Sequence, residues 1–216
     1  MKAIVIGGSG ATGKALINQL ILDDSYSEII SFVRKHSTIK NRKLKEIIID
    51  FEKLSDYKTD IIGNVAFSCL GTTLKVAGSK EAQWRIDYEY QLEFAKICKA
   101  NNIKTFVLVS SVGANSGSKI FYSKMKGCLE NDIKNLNFKQ LFIFQPPGLI
   151  RPFSDRKGEI LGIKVIQFFN AIGLFKNYKP LHVDDLAKNM IQSTKQLPDG
   201  TYTLKSLEIK KILSTS

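Results

Sequence analysis

Apolar residues along this chain fall in short runs rich in β-branched and aromatic side chains, separated by longer stretches with helical spacing. The runs Ala3–Ile6, Ile29–Val33, Glu46–Ile49, Val65–Ser68, Thr105–Val109 and Leu141–Phe144 read as strands. Between them, Lys14–Leu22, a long segment over Lys80–Asn101 and another over Ile120–Asn135 read as helices. Near-continuous apolar strands such as "FVLV" and "LFIF" belong in a parallel sheet covered on both faces, since a strand with one wet face would alternate. Strands alternating with helices predict right-handed βαβ units and an α/β, doubly wound parallel sheet. The alternation stops after Pro146-Pro147. Residues 149–180 read as an insertion with a short amphipathic helix, "KVIQFFNAIGLF". A late helix over "HVDDLAKNMIQSTKQL" and a last strand at "GTYTL" complete the chain. A single domain over 1–216 with a small C-terminal lobe is expected.

Composition narrows the class. The chain has 216 residues, of which 44% are hydrophobic and 24% charged, as expected for one soluble globular domain. Nothing approaches the ~18 consecutive apolar residues of a membrane span. The opening "MKAIVIGGSG" is too short and too glycine-broken for a signal peptide and reads as the first strand. Cys69, Cys98 and Cys128 are widely spaced and match no disulfide framework or zinc pattern, which points to a reducing cytoplasmic setting. With only His36 and His182 available, no metal site is expected. The net charge of +12 raises nucleic-acid binding as a possibility. The basic residues are spread over 34–45, 119–139, 151–164 and 205–211, with no RRM, KH or helix-turn-helix pattern. A lysine-rich solvated surface is therefore expected, and no nucleic-acid partner.

Residues 7–13, "GGSGATG", lie where the first strand gives way to a helix. In that context Gly7 permits a tight turn and Gly10 lets backbone N–H groups approach a pyrophosphate. Gly13 allows helix and sheet to pack closely. Ser9, Ala11 and Thr12 complete the turn, and the phosphate would lie on the positive end of the helix. The architecture is then Rossmann-type and its ligand a dinucleotide. At the end of the second strand, where a carboxylate would hold a ribose 2′-hydroxyl, stand Arg34 and Lys35. A guanidinium binds a 2′-phosphate that a carboxylate would repel, so NADP(H) is expected over NAD(H). Asp50, followed by Phe51, is placed to accept a hydrogen bond from an adenine amine or to cap the next helix.

Candidate acid–base chemistry follows the fifth strand. "FVLVSSVGA" puts Ser110-Ser111 at a strand's carboxyl end, where open α/β sheets bind ligands. Eleven residues after Ser111 begins "YSKMK", in which Tyr122 and Lys126 share one helical face. A free phenol has a pKa near ~10, and a cation one turn away is expected to favour the phenolate. Ser111 would hydrogen-bond a substrate carbonyl while Tyr122 passes it a proton.

On "GGSGATG", "FVRK", "CLGTT", "VSSVGA", "YSKMK", "QPPGLI" and "PLHVDDLA", the chain resembles the atypical, NAD(P)H-binding, epimerase-like branch of the short-chain dehydrogenase/reductase superfamily. "CLGTTLKVAGS…WRIDYEY" with "SSVGANS…FYSKMKG" is similar in particular to the Tat-interactive protein family of oxidoreductase-like proteins. The resemblance implies that Gly7, Gly10 and Gly13 hold the pyrophosphate, Arg34 the 2′-phosphate, and Asp50 the adenine end. It implies that Leu70, Gly71 and Thr72 run along the cofactor and that Ser111, Tyr122 and Lys126 form the catalytic triad. Lys126 would also contact the nicotinamide ribose. The family's Arg-Pro-Gly is here Gln145-Pro146-Pro147-Gly148, which puts a nicotinamide-side backbone contact at Pro146–Gly148. The short spacing to Tyr122 leaves Ser110 as a rival of Ser111, and the small C-terminal lobe argues against a sugar-nucleotide substrate.

Other residues have structural readings. Asp184 or Asp185 is expected as a helix N-cap, and His182 as packed or hydrogen-bonded. Cys69 reads as a small buried hydrophobe beside the cofactor. Trp84, Tyr88 and Leu92 form one helical stripe for core or subunit contact. Phe168, Phe169, Leu174 and Phe175 would line an apolar cleft or pack as a lid helix. The expected function is an NADP(H)-dependent oxidoreductase acting on a small carbonyl or quinone-like substrate, as a monomer or small homo-oligomer. The alternative is an NADP(H)-sensing regulatory protein with little turnover.

Overall fold

The computed structural model describes residues 1–150, 181–205 and Glu208. Seven strands form one sheet: β1 (Lys2–Ile6), β2 (Glu28–Val33), β3 (Leu44–Ile48), β4 (Val65–Ser68), β5 (Thr105–Val109), β6 (Gln140–Gln145) and a last strand at Gly200–Lys205. The last strand is β9, because the two-residue strands β7 (Leu149–Ile150) and β8 (Leu181–His182) precede it as a separate parallel pair. The main sheet runs β3-β2-β1-β4-β5-β6-β9, with every neighbouring pair parallel. The order reverses between β1 and β4, which opens a crevice beyond the carboxyl ends of both strands.

Period-two alternation divides the sheet's side chains between two cores. Ala3, Val5, Val107, Phe142 and Phe144 face helix α1 (Ala11–Leu22) and a late helix at Val183–Gln196. Ile4, Ile6, Phe106, Leu108, Leu141 and Ile143 face the opposite layer. That layer holds α2 (Leu74–Ala77), α3 (Lys80–Trp84), α4 (Tyr90–Ala100) and α5 (Phe121–Asn135), which makes the late helix α6. Phe94, Cys98, Leu129 and Ile133 close this second core. Burial on both faces is why the strands carry apolar residues almost without interruption.

Three expectations are corrected. The helix over Lys80–Asn101 is interrupted by a π-helical turn at Arg85–Glu89, a one-residue expansion that the apolar spacing alone does not reveal. Trp84 and Tyr88 still pair, with ring centroids 4.7 Å apart, and Tyr88 reaches α5 through a 2.7 Å hydrogen bond to Asp132. Neither Asp184 nor Asp185 caps α6. The N-cap is His182, which is exposed, and both acids sit in the first turn, where they complement the helix dipole. A short helix at Leu74–Ala77 also forms where the apolar pattern predicts no element, and the helix that Asp50 could cap is a 3₁₀ segment at Phe51–Tyr57. The expected helix within 149–180 and its Phe168, Phe169, Leu174 and Phe175 lie outside the described residues. Among the described residues no helix is long and apolar enough to cross a membrane.

Candidate functional site

The turn after β1 has the geometry of an anion seat. Gly7 has φ +76°, and a Cβ there would stand 2.4 Å from the Cys69 carbonyl carbon, because the loop after β4 passes directly over it. The Gly10 N–H donates to the Gly7 carbonyl at 3.0 Å and closes the turn. A Cβ on Gly13 would lie 2.2 Å from that same carbonyl oxygen, so α1 rests on the turn itself. Gly10 caps α1 with no side chain, and the helix's first turn contains no acid. Its first N–H groups and positive dipole end therefore face outward without a competing carboxylate, which suits a pyrophosphate. Ser9 is exposed, Ala11 half-buried and Thr12 buried around this seat.

Arg34 and Lys35 follow β2 and are both exposed. Glu46 of neighbouring β3 is engaged elsewhere, by the Ser37 N–H at 2.8 Å and His36 Nδ1 at 3.4 Å. Asp50 is exposed and caps the 3₁₀ segment, accepting from the Glu52 N–H at 3.0 Å. The capping alternative is thus realised. Phe51 is half-buried, its ring 5.5 Å from that of Tyr90. In the loop after β4, Leu70 is half-buried, and Gly71 looks onto open space: a Cβ at this position would meet nothing within 4 Å. The Thr72 N–H donates to Asp87 Oδ1 at 2.8 Å. Cys69 is half-buried where the sequence predicts a buried side chain, and desolvation of its thiol pushes it up to about 12.

At the end of β5 the two serines part. Ser110 is buried, and its hydroxyl donates to Glu130 of α5. Ser111 hydrogen-bonds the phenol of Tyr122. The two serines thus have different partners: Ser110 is held by Glu130 of α5, while the Ser111 hydroxyl also donates to the Val112 carbonyl at 3.3 Å. Lys126, one turn beyond Tyr122, is only 2% exposed, with Nζ 6.0 Å from the Tyr122 ring centroid. Burial lowers its pKa, opposed by the negative charges of Asp87 and Glu130. The Tyr122 phenol lies above its ordinary value, through burial and then the charge of Asp87, opposed by the Ser111 hydrogen bond. This corrects the expectation that Lys126 would pull the phenol down: burial raises it first, and the charge of Asp87 second.

Three buried polar residues beneath the site, Asp87, Gln91 and Glu130, escape a reading of the sequence. Asp87, fully buried in the π-helical turn, is held above the usual carboxylate range by burial despite Lys126 nearby. Its Oδ2 has no hydrogen-bond partner. Gln91 accepts from Ser68 at 2.8 Å and donates to the Asp87 carbonyl at 2.8 Å. Gln145, standing where the family carries arginine, donates to both oxygens of Glu130 at 2.9 and 3.0 Å. A signal exists in each helix. Tyr122, Lys126 and Glu130 continue one four-residue spacing, and Gln83, Asp87 and Gln91 another. The prolines at 146 and 147 have no N–H, so within Pro146–Gly148 only Gly148 offers a backbone donor. The Pro146 carbonyl accepts from the Val112 N–H at 3.1 Å, and the Gly148 carbonyl from the Leu181 N–H at 3.2 Å.

Comparison with known proteins shows the family and the fold. A family model described as NAD(P)H-binding matches residues 7–135, from the phosphate turn through α5. Protein HTATIP2 of Rattus norvegicus is 34% identical over 173 residues, covering 78% of this chain and 70% of its own. Protein FMP52, mitochondrial, of Meyerozyma guilliermondii is 35% identical over 199 residues, covering 88% and 84%. The fold is shared with MoeE5 in complex with UDP-glucuronic acid and NAD, at TM-score 0.73 and 14% identity over 95% of this chain and 76% of that one. It is shared too with a short-chain dehydrogenase/reductase family oxidoreductase from Burkholderia thailandensis, at TM-score 0.66 and 15% identity over 97% and 92%. The mitochondrial designation of the FMP52 relatives overturns the cytoplasmic setting inferred from the cysteines. Free thiols report reducing surroundings and carry no address. With the phosphate turn, the crossover crevice and these relatives together, the chain belongs to the NAD(P)H-binding family, as an atypical short-chain dehydrogenase/reductase resembling HTATIP2.

Proposed function

We propose that the chain is an NADP(H)-dependent oxidoreductase that reduces a small carbonyl or quinone-like substrate. The observation that carries this reading is the Tyr122 phenol, hydrogen-bonded to Ser111 beside the buried ammonium of Lys126. Bound with its pyrophosphate on α1, the cofactor supplies a hydride for the substrate carbon. Ser111 orients the carbonyl oxygen, and Tyr122 gives that oxygen its proton. Burial and then the charge of Asp87 raise the phenol, which favours its protonated, donating form. Lys126 stabilises the phenolate left behind. The exposed Arg34 and Lys35, with Glu46 already engaged, support a 2′-phosphate and so NADP(H).

Tyr122→Phe tests the chemistry. Turnover of a reducible carbonyl is expected to fall by about 10²–10⁴-fold, the range of general acid catalysis, while NADPH affinity stays near that of the wild type. Unchanged turnover removes Tyr122 from the mechanism. Parallel titration with NADPH and NADH tests Arg34, and tighter NADH binding overturns the 2′-phosphate assignment. If NADPH binds tightly and no carbonyl or quinone consumes it, the regulatory, cofactor-sensing reading takes the place of the enzymatic one.

A further inference from the structure

A cavity lies against α5, bordered by the loop after β5 and the carboxyl ends of β6 and β9. Its volume is about 580 Å³, a size that holds a small metabolite. No residue of the phosphate turn lines it, nor do Ser111, Tyr122 or Lys126. Gly127, Asn131 and Lys134, at helical spacing, turn a separate stripe of α5 to it. A Cβ on Gly127 would meet the Ser116 nitrogen at 2.2 Å, so the wall there is backbone against backbone. Among the described residues that line the cavity there is no aromatic or large aliphatic side chain. Its buried wall is Glu130 and Gln145. Glu130 Oε1 accepts from Ser110 and Gln145, whereas Oε2 accepts from Gln145 alone, at 3.0 Å, and can accept once more.

Asn115, Ser116, Asn131, Lys134, Thr203 and Lys205 complete the lining. Internal bonds use only part of this set. Asn131 Nδ2 donates to Ser116 Oγ at 3.0 Å, and Asn115 Oδ1 accepts from the Gly117 N–H at 2.9 Å. Glu208 also borders the cavity, its carboxylate accepting from the Lys205 N–H at 2.8 Å. Among the described residues nothing pairs with the Lys134 or Lys205 ammonium, the Asn115 amide nitrogen or the Thr203 hydroxyl. Unengaged donors therefore dominate the lining, and two of them carry full charge. We propose that the cavity binds a small hydroxylated oxyanion, a phosphate ester or a hydroxycarboxylate, at a site separate from cofactor and substrate. Lys134 and Lys205 take the anionic group, and a ligand hydroxyl donates to Glu130 Oε2. The proposal is independent of the oxidoreductase reading, since recognition here uses none of the acid–base residues.

Isothermal titration calorimetry of the full chain tests the site, with glycerol 3-phosphate and citrate as probes of the two oxyanions. At least one is expected to bind with a Kd of about 1 mM or tighter, unchanged by saturating NADPH, and the tighter one identifies the oxyanion. Glycerol, which lacks the charge, and inorganic phosphate, which lacks the hydroxylated skeleton, are expected to bind at least about tenfold more weakly. Lys134→Gln and Lys205→Gln should each weaken the better probe about tenfold, the loss of one charge-assisted hydrogen bond. Asn131→Phe fills the cavity without altering net charge and should abolish binding, with Tm reporting that the fold is kept. Lys58→Gln, at an exposed lysine that does not line the cavity, should leave affinity unchanged. Displacement of the probe by NADPH assigns its binding to the phosphate turn and overturns the proposal. Equal weakening by Lys58→Gln, or full affinity in Asn131→Phe, reduces the binding to attraction by a basic surface and overturns it too. So does inorganic phosphate binding as tightly as either probe, or no binding of either probe at about 10 mM.

Discussion

The phosphate turn occupies seven consecutive residues, whereas the acid–base cluster gathers Asp87, Ser111, Tyr122, Lys126 and Glu130 from three separate parts of the chain. The turn works through absence: no side chain at Gly7, Gly10 or Gly13, no side-chain cap on α1, and no acid in its first turn. The cluster works through presence, with two buried carboxylates around one buried ammonium. Deleting bulk from a turn is a local decision. Balancing buried charge requires elements distant in sequence to arrive together, and any one of them alone is a liability.

Breaking the cluster should cost the most. Lys126→Met leaves Asp87 and Glu130 buried around an apolar side chain, and destabilisation of about 3 kcal/mol is expected. For a chain of this size that lowers Tm by roughly 6–12 °C, read by calorimetry or thermal melts. Adding Asp87→Asn should recover part of the loss, and failure to do so would uncouple the two charges. Breaking the turn is expected to affect binding most. Gly13→Val drives side-chain atoms into the Gly7 carbonyl, so NADPH affinity falls by roughly a hundredfold, about 2.7 kcal/mol. A fluorescence titration showing wild-type affinity would contradict the pyrophosphate seat.

The smallest effect concerns pH. The folded-state pKa of Tyr122 is raised above its ordinary value of 10.0. Its contribution to stability is therefore fully present below about pH 10 and fades as pH rises toward the folded value. Tyr26, Tyr88 and Tyr90 are also pushed up, each to about 12, so the informative quantity is a difference. Between pH 9 and 11, Tyr122→Phe should lose less Tm than the wild type. Equal losses would mean that the phenol is not withdrawn from solvent.

Legibility follows the same division. The strands β1, β2, β4, β5 and β6 are readable within a residue or two, because double-faced burial imposes continuous apolar runs. Gly7, Gly10 and Gly13 stand out because their strand–turn–helix context is itself local. The π-helical turn does not, since one extra residue in a helix leaves the apolar spacing nearly intact while re-aiming Asp87. The direction of the Tyr122 shift is hidden with it, because neither the burial of the phenol nor the charge of Asp87 can be read from the sequence. Glu130 is similarly hidden: a glutamate on a lysine-rich helix looks like a solvated surface pair until Ser110 and Gln145 are seen to enclose it.

By itself, the sequence determined the doubly wound sheet, the glycine turn and the pairing of Tyr122 with Lys126 on one helical face. Each depends on neighbours within a few residues or on a burial pattern that repeats along the chain. Only the tertiary structure decided which serine meets Tyr122, which carboxylates meet Lys126, and where the phenol's pKa settles. Those outcomes depend on desolvation and on charges brought close from distant elements, and neither quantity exists until the chain is packed.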